Sequence, residues 1–147
     1  MNDFPVLQRH LGVWEGTYSL LDREGKQLDQ HRCRLEIQRN GPKYFQRNIY
    51  TWEDGRRESI DFPGELRDGR LWFDTPRLEG SAVEVNENII VLSWNYKDNP
   101  NQKLAELIYL VNERQRCRTW QYMENGHIVK TMLIDEQKIA DTVSYTV

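Results

Sequence analysis

The sequence has few cysteines and lacks the signatures of common catalytic and metal-binding sites. Cys33 and Cys117 are its two cysteines, too far apart for a CxxC redox motif or a zinc knuckle, so we expect two free thiols. No Gly-X-Ser-X-Gly elbow, phosphate-binding glycine loop, Gly-X-Gly-X-X-Gly or His-Glu-X-X-His motif is present. The histidines His10, His31 and His127 fall on separate segments, so we expect no metal site.

Long apolar runs and an excess of one charge are also missing. No apolar stretch approaches the roughly 18 residues of a transmembrane helix, and no charged-then-apolar leader opens the chain. The net charge is −3 with both signs interspersed, which argues against nucleic acid as a partner. We expect a cytoplasmic protein that binds a small molecule; self-association is left open. Its 147 residues predict a single domain over 1–147.

Aromatic residues and short alternating segments are abundant. The chain contains five Trp, seven Tyr and four Phe. Apolar and polar residues alternate in short runs, and turn pairs such as Asp54-Gly55 and Asp68-Gly69 separate them. We interpret Pro63-Gly64 and 98–101 as breaks, and 140–147 as either a tail or an added edge strand. The predicted strands begin at Trp14 and then cover 27–39, 43–52, 57–62, 70–74, 78–85, 89–96, 104–112, 115–123 and 128–138.

About ten strands without a long helix predict an all-β fold, a single antiparallel up-and-down β-barrel. Closure into a ring avoids two exposed sheet edges. Apolar residues at helical spacing from Phe4 to Leu11, with Asp3 as N-cap, predict a short N-terminal helix over one end of the barrel. Gly12 allows a tight turn, and the broad ring of Trp14 is expected to form the barrel floor.

The ninth predicted strand carries the most suggestive pattern for function. Alternation places one set of residues on the same side of this strand, namely Arg116, Arg118, Trp120 and Tyr122. If this side faces the lumen, Arg118 is a cation among aromatic walls and suits the carboxylate of a ligand. Alternatively, Arg118 pairs with a protein carboxylate or stacks on Trp14. The candidate carboxylates for that pairing are Glu36, Glu106 and Glu136.

Aromatic residues on neighbouring strands supply further candidate ligand walls. They are Trp72, Trp94, Tyr96 and Tyr109. Each alone is more often part of a packed core than a ligand wall, but together they exceed what a narrow barrel needs. The second predicted strand has a polar face with Arg32, Arg34 and Glu36, for which we favour a solvated position over a lumenal one. Its opposite face, with Cys33 and Ile37, is typical of packing.

Two stretches resemble a calycin-like family of unknown function found mainly in cyanobacteria. They are residues 4–16, with the Gly-X-Trp step at Gly12 and Trp14, and the closing Asn125-Gly126 followed by Thr131-Met132-Leu133-Ile134-Asp135-Glu136-Gln137-Lys138. Asp135 stands where that family tends to carry a basic residue. The layout also resembles calycins in general, including lipocalins and fatty-acid-binding proteins, and more distantly the phycobiliprotein chromophore lyases.

The resemblance implies a barrel that holds a ligand in its lumen, and it leaves three hypotheses for function. The first is a binding protein for an amphipathic or conjugated molecule. The second is a lyase-like enzyme or chaperone for a linear tetrapyrrole, whose propionates would contact Arg118 or Arg32 and whose nitrogens Glu36 or Glu136 would protonate. The third is a non-catalytic interaction module with a filled barrel. No cofactor is certain from the sequence.

Overall fold

The computed structural model describes residues 3–145, which form one short helix followed by ten β-strands. The elements are α1 (Pro5–Gln8), β1 (Gly12–Leu21), β2 (Gln27–Asn40), β3 (Lys43–Thr51), β4 (Arg57–Arg67), β5 (Arg70–Asp74), β6 (Leu78–Glu84), β7 (Ile89–Tyr96), β8 (Asn99–Asn112), β9 (Gln115–Glu124) and β10 (His127–Ala140). No helix in this part of the chain is long and apolar enough to cross a membrane.

The strands form a closed antiparallel barrel, in which each strand pairs with the next and β10 returns to pair with β1. The predicted up-and-down barrel with a short N-terminal helix is therefore confirmed. Strands β1 and β10, which close the barrel, approach each other very closely at Gly16, where a Cβ atom would lie 1.9 Å from the backbone oxygen of Asp135. Only a residue without a side chain fits at this point of the β1–β10 ladder.

Strand alternation separates the lumen from the outer surface. On β2, Cys33 and Ile37 point inward and are buried, while Arg32 on the opposite face is exposed. Glu36 shares the outer face with Arg32, yet it is buried rather than solvated as predicted. The reason is that Arg34 and the hydroxyl of Tyr145 both donate hydrogen bonds to its carboxylate.

The helix α1 closes one end of the barrel. Its N-cap is Phe4, in a left-handed conformation with φ of 56°, and not Asp3 as predicted. The first backbone N–H groups of the helix, those of Val6 and Leu7, donate instead to Glu84 of β6 at 2.8 and 2.7 Å. A carboxylate distant in sequence therefore replaces the local cap. Directly behind the helix, the fully buried Trp14 donates its indole N–H to the backbone oxygen of His10 at 2.9 Å.

Two prolines lie inside strands and not in the breaks that the sequence predicted. Strand β4 continues through Pro63 to Arg67, and β8 already begins at Asn99, one residue before Pro100. Pro63 is tolerated because β4 pairs with β5 only over 65–67. Pro100 is tolerated because it lies at the start of its strand, beside a register shift of β7.

The last described residues after β10 do not add a strand. Residues 141–145 form bends and irregular structure, so of the two alternatives left open for 140–147, the tail and not the edge strand holds for this part. Residues 146–147, to which the same alternatives applied, lie outside the described residues. Tyr145 nevertheless packs on the barrel, with the guanidinium of Arg47 5.3 Å from its ring centroid.

Candidate functional site

The barrel lumen contains two adjoining cavities of different size. The inner cavity, behind α1, has a volume of about 40 Å³, and a second chamber at the opposite end has a volume of about 220 Å³. We call the second one the mouth chamber. Phe62, Trp94 and Trp120 line both cavities. These three side chains therefore form the boundary between a small closed end and a larger open end.

Aromatic stacking holds this boundary in place. The rings of Phe62 and Trp94 lie nearly parallel, with centroids 5.8 Å apart and an interplanar angle of 19°. Trp120 meets Tyr18 edge to face at 5.4 Å and 87°. Both geometries are favourable for aromatic pairs. The boundary is consequently made of rings with fixed orientations rather than of flexible aliphatic chains.

The mouth chamber is lined by rings from several strands. His31 and Trp52 stack at 4.6 Å, and the indole N–H of Trp52 donates to Asp29 at 3.0 Å. Tyr96 and Tyr122 contribute two half-buried rings on the opposite side. His31 is buried, whereas Trp52, Tyr96 and Tyr122 are half-buried at or next to strand ends, and their partial exposure marks the opening to solvent.

One side of the mouth chamber has no continuous backbone wall. Over Arg57–Arg67, β4 pairs with β5 only at its last three residues, so residues 57–64 have a ladder to β3 alone within the described chain. The side chain of Arg77, from the turn between β5 and β6, lines the chamber and places its guanidinium 5.8 Å from the ring centroid of Phe62 on β4. An exposed cation therefore lies beside the strand that has only one ladder here.

Buried charges occupy the lumen between the two ends. Glu136 accepts hydrogen bonds at one oxygen from Arg116 at 2.8 Å and from Arg118 at 2.7 Å. Arg118 also donates to Glu106 at 2.6 Å and to the hydroxyl of Tyr18. Although burial acts to raise it, the two arginine charges hold the pKa of Glu136 below its usual value. Two cations thus face two carboxylates, and the cluster is balanced.

His10 connects this cluster to the barrel floor. Its Nδ1 lies 2.9 Å from Nη1 of Arg116, whose guanidinium stacks 4.4 Å above the ring centroid of Trp14. Burial, together with the charges of Arg116 and Arg118, keeps the pKa of His10 well below its usual 6.5. His10 is therefore neutral at physiological pH and accepts a hydrogen bond from the arginine.

A ladder of polar side chains runs along the inner face of β3. Tyr44 donates to Gln46, Gln46 donates to Asn48 at 2.8 Å, and Asn48 donates to the hydroxyl of Tyr50 at 2.9 Å. The ladder was missed in the sequence analysis, where this strand was described only by its content of Tyr, Phe and Ile. Its signal was available, since the four residues occupy every second position of 44–50.

One family model matches almost the whole chain. It is described as the N-terminal part of a domain of unknown function, DUF3598, and it matches residues 2–141. The chain belongs to the DUF3598 family. No curated protein matches it.

Solved structures place this DUF3598 domain among similar barrels. A DUF3598 protein from Nostoc punctiforme has a TM-score of 0.75 and 18% identity, over 90% of this chain and 49% of that one. This chain thus spans about half the length of that relative. An S-type phycobiliprotein lyase from Guillardia theta has a TM-score of 0.71 and 10% identity, over 98% and 95% of the two chains. The protein mFAP2b, in a structure bound to DFHBI, has a TM-score of 0.51 and 14% identity, over 91% and 97%.

At such identities these likenesses establish the fold. The resemblance to a family of unknown function and to phycobiliprotein lyases, stated from sequence, is confirmed.

Most of the sequence-predicted site residues of the DUF3598 domain meet in the lumen. They are Arg118, Trp120, Tyr122, Trp94, Tyr96 and Glu136. Two predicted wall residues do not belong there. Trp72 alternates with the inward Leu71 and Phe73, so it lies outside, where its indole donates to the backbone oxygen of Arg67 at 3.2 Å. Tyr109 is 41% exposed on the outer face of β8.

Arg118 is not free to bind the carboxylate of a ligand, as the first interpretation of the sequence required. Each of the three side-chain nitrogens of Arg118 already donates to a protein group, as the second interpretation of the sequence anticipated. Glu136 is held in its charged form and is a poor proton donor. Arg32 and Glu36 lie on the outer face, so neither reaches a ligand in the lumen. Within residues 3–145, no group of three or more His, Cys, Asp or Glu could hold a metal ion.

Proposed function

We propose that this DUF3598 domain binds a flat, conjugated small molecule in the mouth chamber of its barrel. The observation that carries the proposal is a ring-lined chamber of about 220 Å³ at the open end, beside a charged cluster that is already balanced. Flat conjugated molecules suit such a chamber because offset and edge-to-face contacts with Tyr and Trp rings stabilise them. Binding then needs burial of apolar surface and no catalytic group.

The volumes favour the mouth chamber over the inner cavity as the place for a ring. A cavity that accepts benzene measures roughly 150 Å³, well above the inner 40 Å³ and below the 220 Å³ of the mouth. Pockets for larger ligands usually measure about 300–1,000 Å³. The ligand is therefore either small or extends past the rim, where Arg77 and Glu58 are exposed.

Comparison with other barrels supports the proposal without identifying the ligand. The similar mFAP2b was solved bound to the small molecule DFHBI, and its chain is matched over nearly its whole length. A barrel of this kind can thus leave room for a ligand.

A probe and a matched pair of variants test the proposal. N-phenyl-1-naphthylamine is neutral and conjugated, and its fluorescence rises in apolar surroundings. We expect saturable binding that weakens several-fold in Tyr122→Leu, because a ring of the mouth chamber is lost. Tyr109→Leu makes the same change on the neighbouring strand but on the outer face, so it should bind the probe as the unaltered protein does. Equal loss in both variants, or no saturable binding, would contradict a mouth-chamber site and favour a filled interaction module.

A linear tetrapyrrole is the second candidate ligand. The shared fold with an S-type phycobiliprotein lyase supports it, over 98% of this chain. Because Arg118 is engaged by protein groups, the propionates would have to remain at the rim near Arg77. Titration with biliverdin, followed by visible circular dichroism, tests this candidate. An induced signal that Tyr122→Leu reduces would support it, and an unchanged spectrum would exclude it.

A further inference from the structure

The inner cavity is lined by buried polar atoms that lack partners. Five buried side-chain nitrogens have no hydrogen-bond partner within residues 3–145, and four of them belong to residues that line this cavity. They are His10 Nε2, Trp94 Nε1, Arg116 Nη2 and Trp120 Nε1. Each of these side chains is at most 8% exposed. Buried polar groups are rarely left unpaired, because a buried donor without an acceptor has lost its hydrogen bonds to water and gained none in return.

All four unpartnered atoms are hydrogen-bond donors. Indole nitrogens and guanidinium nitrogens can only donate. For His10 the tautomer follows from its neighbour: Nη1 of Arg116 must donate, so Nδ1 of His10 carries no hydrogen and Nε2 carries it. Two acceptor oxygens of lining residues are engaged, since Glu106 Oε2 accepts from Arg118 and Asn48 Oδ1 from Gln46. The buried side-chain atoms without a partner within residues 3–145 are all nitrogens, so the lining presents an excess of donors.

The charge of the surroundings decides which acceptor fits. Arg116 and Arg118 are matched by Glu106 and Glu136, and His10 is uncharged. A carboxylate brought into this cluster would be a buried charge without a counter-ion, so no ion pair would offset the free energy of its desolvation. A neutral oxygen accepts the same hydrogen bonds without that cost. A volume of about 40 Å³ has room for such a group but not for a ring.

We infer that the inner cavity binds a neutral hydrogen-bond acceptor, a carbonyl or lactam oxygen at one end of the ligand whose rings fill the mouth chamber, and that it rejects a carboxylate. This inference rests on the proposed function. Trp94 and Trp120 line both cavities, so an oxygen just past the aromatic boundary is within the reach of a ligand in the mouth. Acidic groups of a ligand would stay outside, near Arg77.

Three naphthalenes of nearly equal shape separate the effect of a carbonyl oxygen on binding from the effect of a negative charge. 2-Acetylnaphthalene carries the carbonyl, 2-isopropenylnaphthalene replaces its oxygen by a methylene group, and 2-naphthoate adds the charge. Calorimetric titration should give tightest binding for the ketone, about 2- to 10-fold tighter than the alkene, the range of one net hydrogen bond. Naphthoate should bind more weakly than the ketone. In addition, the carbonyl stretch of the bound ketone should shift to lower frequency relative to an apolar solvent.

A ring-conserving variant tests the donor that Trp120 supplies. Trp120→Phe removes an N–H group and keeps an aromatic ring, so it should weaken binding of the ketone but not of the alkene. Trp72→Phe removes an indole N–H on the outer face and serves as the matched control. The carbonyl shift in the unaltered protein provides a measurement that does not depend on the folding of any variant.

The outcomes distinguish this inference from the proposed function. Equal affinity of ketone and alkene, with no carbonyl shift, would overturn the inference and leave the aromatic site standing, because water then satisfies the donors. Naphthoate binding more tightly than the ketone, with sensitivity to Trp120→Phe, would overturn the choice of a neutral acceptor. Failure of all three naphthalenes to bind would reject the proposed function and the inference together.

Discussion

Arg118 and Glu136 form a two-point ion pair across adjacent strands in the barrel lumen. Nε of Arg118 lies 2.7 Å from Oε1 of Glu136, and Nη2 lies 3.2 Å from Oε2. Both side chains are almost completely shielded from water, and Arg116 shares the same carboxylate. One carboxylate thus neutralises part of the charge of two buried arginines, which makes it the most sensitive member of the cluster.

We predict that Glu136→Gln destabilises the fold strongly. The amide keeps the shape of the side chain but leaves two buried guanidinium groups with less counter-charge, and removing one partner of a buried pair typically costs about 3–5 kcal/mol. Urea unfolding measures the loss. Glu113→Gln removes the partner of Arg9 in an exposed pair and should change the free energy of unfolding little. Similar behaviour of the two variants would mean that the lumenal pair is not energetically important.

His10 should make stability depend on pH below neutrality. Its pKa is well below 6.5 in the folded state, chiefly through burial, whereas the unfolded chain takes up a proton near 6.5. The unfolded state therefore binds more protons as the pH falls below 6.5, and the free energy of unfolding decreases by up to about 1.4 kcal/mol per pH unit. Above that pH the residue is neutral in both states and contributes no slope.

Urea titrations at pH 7.5, 6.5 and 5.5 check this dependence. His10→Gln keeps an acceptor for Arg116 but does not titrate, so its slope below pH 6.5 should be smaller than that of the unaltered protein. His127→Gln alters an exposed histidine and should keep the original slope. An unchanged slope in His10→Gln would assign the dependence to another group.

The fold could be predicted from sequence because its signals are local. Alternation placed Arg118, Trp120 and Tyr122 on one side of β9, and this side faces the lumen. The partner of Arg118 could not be chosen from sequence, because it depends on the register of three strands at once. In the structure, β9 aligns Arg116 opposite Glu136 and Trp120 opposite Glu106, so both carboxylates are within reach of the intervening arginine.

The two misplaced aromatic residues show where alternation misleads. On β8 the inward set contains Glu106, whereas the outward set contains Leu107, Tyr109 and Val111 and is the more apolar of the two. A buried carboxylate thus inverts the hydrophobic pattern, and Tyr109 was assigned to the wrong face. On β5 the alternation is regular, since the inward Leu71 and Phe73 flank Trp72. The pattern of every second residue therefore places Trp72 on the outer face, although its large ring suggested a lumenal position.

Gly16 should be intolerant of any side chain. It faces inward on β1, where an added Cβ would meet the backbone oxygen of Asp135 at 1.9 Å and Cγ of Glu136 at 2.7 Å. Gly16→Ala must therefore displace the strand pair that closes the barrel, which we expect to cost about 1–3 kcal/mol. Ser19→Ala, on the outer face of the same strand, should stay within about 0.5 kcal/mol. Thermal unfolding measures both, and equal stability would show that the closing pair adapts.

The two thiols should differ sharply in reactivity, because they lie on opposite faces of the wall. Cys117 is exposed on β9, whereas Cys33 is buried on β2, where desolvation raises its pKa to about 12. Native protein treated with Ellman's reagent should release about one equivalent of thiolate quickly, and the second only after unfolding in urea. Cys117→Ser should abolish the fast phase, and Cys33→Ser should leave it intact. Two equivalents released together from native protein would mean that the barrel opens on the timescale of the reaction, so the lumen would be accessible through its wall as well as its mouth.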